Sequence, residues 1–224
     1  MLFRTLSGTR YRSLKASGLK SLSIGLKMAS ESSQASKSID PRPVIISGPS
    51  GVGKGTLYHL LLSRHPSTFA TTVSHTTRAP RSGEREGIDY YYISRPEFED
   101  LITRKTFVEH AEYGGNRYGT SKATIQDVIN SHRVPVLDIE MEGVKQIKDS
   151  EIDARYVFIS PPSLELLEQR LRGRGSEKED SIQKRLAQAK YELEYAAIDG
   201  TYDTIIVNDV LEKAYEELEA FILQ

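Results

Sequence analysis

Short apolar runs alternate with longer helical patterns from residue 43 to the C-terminus. Val44–Ser47 is a β-branched run that ends at a Gly-Pro pair, which predicts a buried strand, and residues 54–63 then follow with helical spacing. Further strands are predicted at 90–93, 134–139, 155–159 and 204–207, and further helices at 96–104, 124–131, 141–148, 163–171, 181–197 and 211–222. This alternation predicts an α/β fold in which helices wrap a parallel sheet.

Three segments depart from this alternation. Residues 71–118 are richer in turns and strand formers, so we expect a core of 41–72 and 121–224 with a mixed-strand insert at about 73–120. Two glycines lie in a dense charge cluster at about 172–183, which indicates a short hinged lid. Residues 1–40 read as a leader that ends in a polar linker over 30–40.

The leader has a distinctive charge pattern. Six of the 30 basic residues lie in its first thirty positions, serine is frequent there, and the first acid is Glu31. This composition is typical of an organelle transit peptide. We expect a mitochondrial protein if residues 1–30 act in targeting, and otherwise a cytoplasmic one. The alternatives are a disordered leader, or an artefact of start-site choice, because Met28 offers an internal start.

Composition excludes several classes of protein. The 224 residues are 38% hydrophobic and 27% charged, which is ordinary for a globular domain. A formal net charge of -1 argues against a protein that coats nucleic acid. The absence of cysteine excludes disulfides and thiolate chemistry, and no apolar run reaches the roughly 18 residues of a membrane span. We therefore expect no nucleic-acid or membrane partner, and a monomer is the default expectation.

The residues after the first strand fit the phosphate-binding pattern G-x-x-x-x-G-K, with a strand before them and a helix after them. Inward-facing backbone N–H groups and the start of the helix would hold ATP phosphates, and Lys54 would add a mobile charge. The alternative is a glycine-rich turn with a surface lysine. The predicted ATP site comprises Gly48, Pro49, Ser50, Gly51, Val52, Gly53, Lys54, Gly55 and Thr56.

One position in this loop departs from the general pattern. The pattern ends with a serine or threonine that ligates magnesium, whereas this chain has Gly55 and only then Thr56. We expect Mg²⁺ to enter with ATP and to be held by phosphate oxygens, water and a distant carboxylate.

A second cluster lies downstream. Arg78 and Arg81 flank Pro80, and Tyr90 follows nearby, which forms a plausible anion clamp. Taken alone, a loop with two arginines is more often solvated.

Seven motifs follow one another along the chain: the loop GPSGVGK at 48–54, SHTTRAPR at 74–81, GIDY at 87–90, GNRYGT at 115–120, LDIEMEGV at 137–144, RGRG at 172–175 and IVND at 206–209. In this order they resemble the guanylate kinases, and most closely the fungal members. The resemblance runs from about residue 42 to the C-terminus. It implies a P-loop NTPase fold with a five-stranded parallel core, a GMP-binding insert and a lid, and phosphoryl transfer from ATP to GMP and dGMP.

The resemblance also implies roles for individual residues. The GMP phosphate would contact Arg78, Arg81, Tyr90 and Tyr118, and guanine would face Ser74, Glu109, Thr120 and Glu140. Thr120 stands where serine is common, and Glu140 stands where most relatives have aspartate, so its carboxylate reaches one methylene further. Asp138 would lie near magnesium through water. The catalytic cations would be Lys54, Arg174 and Arg185, with Arg170 next.

The guanine assignment has an independent physical basis. Guanine presents two adjacent donors, N1–H and the N2 amino group, and one carboxylate such as Glu109 accepts both. Adenine has a lone pair at N1, so a site of this kind discriminates by a factor of about ten thousand. The alternative for Glu109 is a solvated strand acid beside His110.

Two rival functions are distinguishable from the sequence. Adenylate kinases also carry Gly-Lys-Gly-Thr, so the acceptor loop and Glu109, rather than Gly55 and Thr56, separate the two kinases. Scaffold domains of the same fold bind peptides and typically lose residues of the phosphate loop, whereas Lys54 and the glycines are intact here. An enzyme is therefore the favoured reading.

Overall fold

A fully parallel five-stranded sheet forms the centre of the computed structural model, which describes residues 39–173 and 178–224. Its strands lie in the order β2-β7-β1-β8-β9. They are β1 (Val44–Ser47), β2 (Phe69–Thr71), β7 (Val134–Asp138), β8 (Arg155–Ser160) and β9 (Thr204–Val207). The predicted α/β class is confirmed, although β2 was not predicted, because its three residues are too short to show a pattern.

All seven predicted helices are present, with ends that differ from the prediction by at most two residues. They are α1 (Lys54–Arg64), α2 (Arg95–Thr103), α3 (Lys122–Asn130), α4 (Met141–Lys148), α5 (Leu164–Gly173), α6 (Glu179–Ala196) and α7 (Leu211–Ile222). Caps explain two of the shifts: Ser94 and Ser121 accept backbone N–H bonds and start α2 and α3 ahead of the apolar spacing. In the described ranges, no helix is long and apolar enough to cross a membrane.

Alternation along β1 builds two cores on opposite faces of the sheet. Val44 and Ile46 point to one side, where they join a cluster with residues of α1 and α7, while Ile45 joins a second cluster with α4. All three side chains are fully buried. The central strand is therefore fixed from both faces, and so is the loop that leaves it.

A smaller mixed sheet occupies the region of the predicted insert. Its strands are β3 (His75–Thr76), β4 (Tyr91–Tyr92), β5 (Phe107–Tyr113) and β6 (Asn116–Ser121), in the order β4-β3-β6-β5. The strand predicted at 90–93 is reduced to β4, and the other three were not predicted individually. Gly114 and Gly115, with φ angles of 58° and 79°, form the tight turn between β5 and β6.

The first described residues are attached to the body of the fold. Ile39 packs against the core cluster, and the buried Arg155 donates to the carbonyl oxygens of Asp40 and Ile222, each at 3.0 Å. The sequence had assigned positions 39 and 40 to the linker. They contact the same body that begins with β1.

The cleft of the molecule opens where the central strands end. β1 lies between β7 and β8, and Ser47 and Asp138 end β1 and β7 at the same edge of the sheet. In open parallel sheets, ligands bind beyond the carboxyl ends of the strands. Gly48 follows β1 directly, and a Cβ atom there would lie 2.2 Å from the carbonyl oxygen of Ile159 in β8.

This close approach predicts that Gly48→Ala destabilises the protein. The added methyl group would collide with backbone, and a φ of 143° is unfavourable for alanine, so we expect a loss of about 1–3 kcal/mol in the free energy of unfolding. Gly55→Ala is the matched control, because nothing lies within 4 Å of a Cβ at this helical position. It should stabilise the protein by about 0.5–1 kcal/mol. Urea unfolding measures both values, and equal stability of the two variants would contradict the prediction.

Candidate active site

The predicted ATP residues form the loop between β1 and α1 together with the first turn of that helix. Gly48, Gly51 and Gly53 have φ angles of 143°, 90° and 101°, and Gly53 is the N-cap of α1. Val52, between the last two glycines, is fully buried and anchors the loop. A loop of this kind at a helix N-terminus presents backbone N–H groups and a positive dipole end to an anion.

Asn208 ties this loop to the neighbouring strand. Its buried side-chain amide donates to the carbonyl oxygen of Val52 at 2.8 Å, and its backbone N–H donates to Ser160 at the end of β8, also at 2.8 Å. Arg170, on α5, approaches the same Val52 carbonyl and that of Asp209, each at 3.5 Å. The loop is thus held from outside the segment that forms it.

Lys54 lies across the mouth of the loop. Its Nζ donates to the carbonyl oxygen of Gly48 at 2.5 Å. Asp138 ends β7 and lines a small cavity at the same edge of the sheet. The residue reaches solvent, yet enough protein surrounds its carboxylate to raise the pKa of Asp138, and the charge of Lys54 opposes the rise. The lysine therefore favours the charged form of this acid.

Helix α6 forms another wall of the cleft. Arg185 donates to the hydroxyl of Ser50 in the phosphate loop. The cleft between them measures about 510 Å³, and its lining includes Gly48, Glu140 and Glu192 as well. Of the lid arginines predicted from the sequence, Arg174 lies outside the described residues. Arg172 pairs with Glu168 and Glu179, as expected of a surface charge.

Glu192 is a buried acid in this wall that sequence reasoning did not select. Only 6% of the residue is exposed, and Oε1 accepts from Gln188 at 3.1 Å, whereas Oε2 has no hydrogen-bond partner among the residues that the structure describes. Burial raises the pKa of Glu192, and the positive charge of Lys54 opposes the rise.

In the acceptor loop, Arg78 is held by a residue that was not predicted as part of the site. Its two terminal nitrogens donate to the two carboxylate oxygens of Glu84, both at 2.9 Å. Tyr92 donates its hydroxyl to Glu84 at 2.8 Å, and the backbone N–H of Arg81 donates at 2.7 Å. These contacts lower the pKa of Glu84 to about 2, chiefly through Arg78, so the carboxylate is charged at neutral pH.

The two predicted tyrosines lie beside this guanidinium group. The rings of Tyr90 and Tyr118 are 6.1 Å apart, and the guanidinium carbon of Arg78 is 5.4 Å from the ring centre of Tyr90. The Tyr118 hydroxyl also interacts with Arg78 and helps to raise its pKa. The side chain of Arg81 is exposed, and only its backbone joins the cluster.

Three of the four predicted guanine residues, Ser74, Glu109 and Thr120, meet where β3 approaches β6. The hydroxyls of Ser74 and Thr120 are 3.1 Å apart, and Glu109 on β5 pairs in register with Thr120. Glu109 is only 9% exposed, so the solvated-acid alternative is wrong. Burial raises the pKa of Glu109 and Glu140 adds to the rise, whereas hydrogen bonds from Thr120 oppose it.

One small cavity joins the predicted acceptor residues to the predicted magnesium acid. It measures about 160 Å³ and is lined by Ser74, Tyr90, Thr120 and Asp138, among others. Glu140 instead lines the larger cleft beside the phosphate loop. The predicted donor and acceptor residues therefore line two cavities at the same edge of the parallel sheet.

Glu84, Tyr92 and Asn208 were not predicted as site residues. An acid three positions after Arg81 is a weak signal of an ion pair, and Asn208 lies within a motif that the resemblance had marked. The position of Tyr92 opposite Glu84 depends on how β4 joins the small sheet, which the sequence did not show.

Comparisons with known proteins agree with this architecture. The family model for guanylate kinase matches residues 40–224. A guanylate kinase of Schizosaccharomyces pombe is 50% identical over 194 residues, which cover 86% of this chain and 96% of that protein. The human guanylate kinase is 48% identical over 179 residues, which cover 80% and 91% of the two chains.

A solved structure gives the same result at the level of the fold. The crystal structure of guanylate kinase from Anaplasma phagocytophilum superposes with a TM-score of 0.59 at 29% identity, covering 82% of this chain and 85% of that one. With a family match over nearly all of the described residues and relatives at about half identity, the chain belongs to the guanylate kinase family.

Proposed function

We propose that this chain transfers the γ-phosphoryl group of ATP to GMP, giving ADP and GDP. Family membership supports the reaction. The roles of individual residues are supported by one observation. The same fold contains an intact phosphate loop and a buried carboxylate, Glu109, that is compatible with guanine. We extend the substrate to dGMP, because the proposed contacts read the base and the phosphate, which dGMP shares.

On the donor side, the loop from Gly48 to Thr56 holds the ATP phosphates. Lys54 leaves the Gly48 carbonyl and neutralises the β- and γ-phosphate oxygens. Arg185, which already contacts the loop through Ser50, and Arg170 add positive charge from α6 and α5. Arg174 belongs to the same set by resemblance.

On the acceptor side, Arg78, Arg81, Tyr90 and Tyr118 bind the GMP phosphate. A second set of residues binds the guanine base and comprises Ser74, Glu109, Thr120 and Glu140. A carboxylate held in a buried site accepts both donors of the guanine edge. The burial that raises the pKa of Glu109 also makes an unmade hydrogen bond there costly, which penalises adenine.

The residues fit Mg²⁺ that arrives with ATP. Among residues 39–173 and 178–224, no group of three or more His, Cys, Asp or Glu side chains forms a metal cage. The accessible carboxylate of Asp138 would supply a hard oxygen to the hydrated ion, and position 55 leaves open space for water. The ion would add charge neutralisation at the transferring phosphate.

No protein base is needed in this reaction. The phosphate oxygen of GMP is already an anionic nucleophile, so the protein aligns it with the γ-phosphorus, neutralises the equatorial oxygens and excludes water. The phosphate loop and the arginines of α5 and α6 serve the alignment and the neutralisation.

We further propose that the protein acts as a monomer.

We also propose that residues 1–30 direct the protein to an organelle. The observation that supports targeting is that this segment has six basic residues and no acid before Glu31. Fusion of residues 1–40 to a fluorescent reporter should give an organelle pattern in imaged cells. The same fusion with the six basic residues changed to glutamine is the control and should be diffuse. A diffuse signal from the native segment would contradict the proposal.

Lys54→Ala should lower turnover by about 100-fold or more, because a phosphate-neutralising charge is lost from a preorganised site. Lys213→Ala on the exposed side of α7 is the matched control and should retain wild-type turnover. Coupled measurement of ADP release gives the rates, and thermal unfolding establishes that both variants fold. Near-normal turnover of Lys54→Ala would remove this residue from its proposed role.

Glu109→Gln should lower kcat/KM for GMP by about tenfold or more and narrow the preference for GMP over AMP. The amide places an N–H donor against the guanine donors and so loses one of two hydrogen bonds. Glu112→Gln, an exposed position on the same strand, is the control. Steady-state rates with GMP and with AMP give kcat/KM for each. An unchanged ratio of kcat/KM for GMP to kcat/KM for AMP in Glu109→Gln would contradict the proposed contact between Glu109 and guanine.

A further inference from the structure

Glu84 occupies one end of the Arg78 guanidinium group and does not reach its opposite edge. A guanidinium group has five N–H donors in a fixed plane. Glu84 takes one from each terminal nitrogen, at 2.9 Å, and the carbonyl oxygen of Ala79 takes another from Nη1, also at 2.9 Å. The remaining two, on Nε and Nη2, point in parallel along the other edge.

That other edge has the shape of a phosphate-binding fork. Two parallel N–H groups bind two oxygens of a phosphate at once, which is the geometry that distinguishes arginine from lysine. The Tyr118 hydroxyl interacts with the same guanidinium group, and the ring of Tyr90 lies 5.4 Å from its centre. Both tyrosines belong to the proposed phosphate site.

Glu84 is itself held in place. Tyr92 and the backbone N–H of Arg81 donate to Oε2, and the backbone N–H of Glu84 donates to the Arg81 carbonyl at 3.1 Å, which closes a turn. The side chains of Arg78 and Glu84 are only 14% and 19% exposed. A carboxylate with this many donors keeps one orientation and fixes the plane of the guanidinium group that it binds.

We infer that Glu84 is a positioning residue for recognition of the acceptor phosphate. It accepts hydrogen bonds from Nη1 and Nη2 of Arg78, so that the Nε–Nη2 edge faces the phosphate position before GMP binds. This inference rests on the proposed function, in which Arg78 binds the GMP phosphate. It adds that the arginine is preorganised by a carboxylate rather than ordered by the substrate.

Glu84→Gln tests the inference with little change of shape. The amide places N–H against one terminal nitrogen of Arg78, so the guanidinium plane is released. The KM for GMP should rise by about 10- to 100-fold, since a misplacement of about 1 Å costs up to that much. The KM for ATP should stay within about twofold of wild type. Glu86→Gln, whose carboxylate accepts from the backbone of Tyr92 and does not touch Arg78, is the matched control and should behave as wild type.

A double-mutant cycle separates positioning from general destabilisation. In an Arg78→Ala background, Glu84→Gln should change the KM for GMP by less than about twofold, because its effect passes through Arg78. Additive effects, or a wild-type KM in Glu84→Gln alone, would overturn the inference while leaving the proposed function intact. A wild-type KM in Arg78→Ala would overturn both. If Glu84→Gln fails to fold, Glu84→Asp keeps the charge on a side chain one methylene shorter, which draws the carboxylate back from the guanidinium group. It should show the same rise in KM, and an unchanged KM there would equally overturn the inference.

Discussion

The approach of the phosphate loop to the backbone of β8 is the constraint on which the site depends. Gly48 lies so close to the Ile159 carbonyl that no side chain fits, and the side chain of Asn208 holds the next turn of the loop through Val52. These contacts fix backbone N–H groups at the end of a strand whose two faces are both buried. A cradle made of backbone has no rotamers to order when phosphate binds, so its affinity comes from rigidity set by the core.

Charges around the cleft are balanced within the protein before any nucleotide arrives. Arg78 is neutralised by Glu84, and Lys54 donates to a backbone carbonyl while its charge favours the ionised forms of Asp138 and Glu192. Without these partners, the clustered cations would repel one another. We propose that phosphate binding exchanges some of these contacts for stronger charge-assisted ones. On this proposal the acceptor arginine keeps its carboxylate, whereas the donor lysine leaves its carbonyl.

The sequence predicted the elements that have a strong periodic or motif signal. The central strands β1, β7, β8 and β9 and every helix of the described residues were placed to within two residues, because buried β-branched runs and amphipathic spacing are local signals. The small sheet was seen only as a strand-rich insert, since β3 and β4 have two residues each and depend on pairing with distant chain. The role of Glu84 could not be predicted from the sequence for the same reason. It depends on tertiary contacts with Tyr92 and Arg78, which no sequence spacing indicates.

We propose that one cleft binds ATP phosphates on one side and a guanine monophosphate on the other. The most direct measurement is ADP release by the full chain with ATP and Mg²⁺, supplied in turn with GMP, dGMP, AMP, UMP and dTMP. We expect rapid release with GMP and dGMP, and rates lower by a factor of about a thousand or more with the other three. Rapid release with one of those three, together with slow release with GMP, would contradict it.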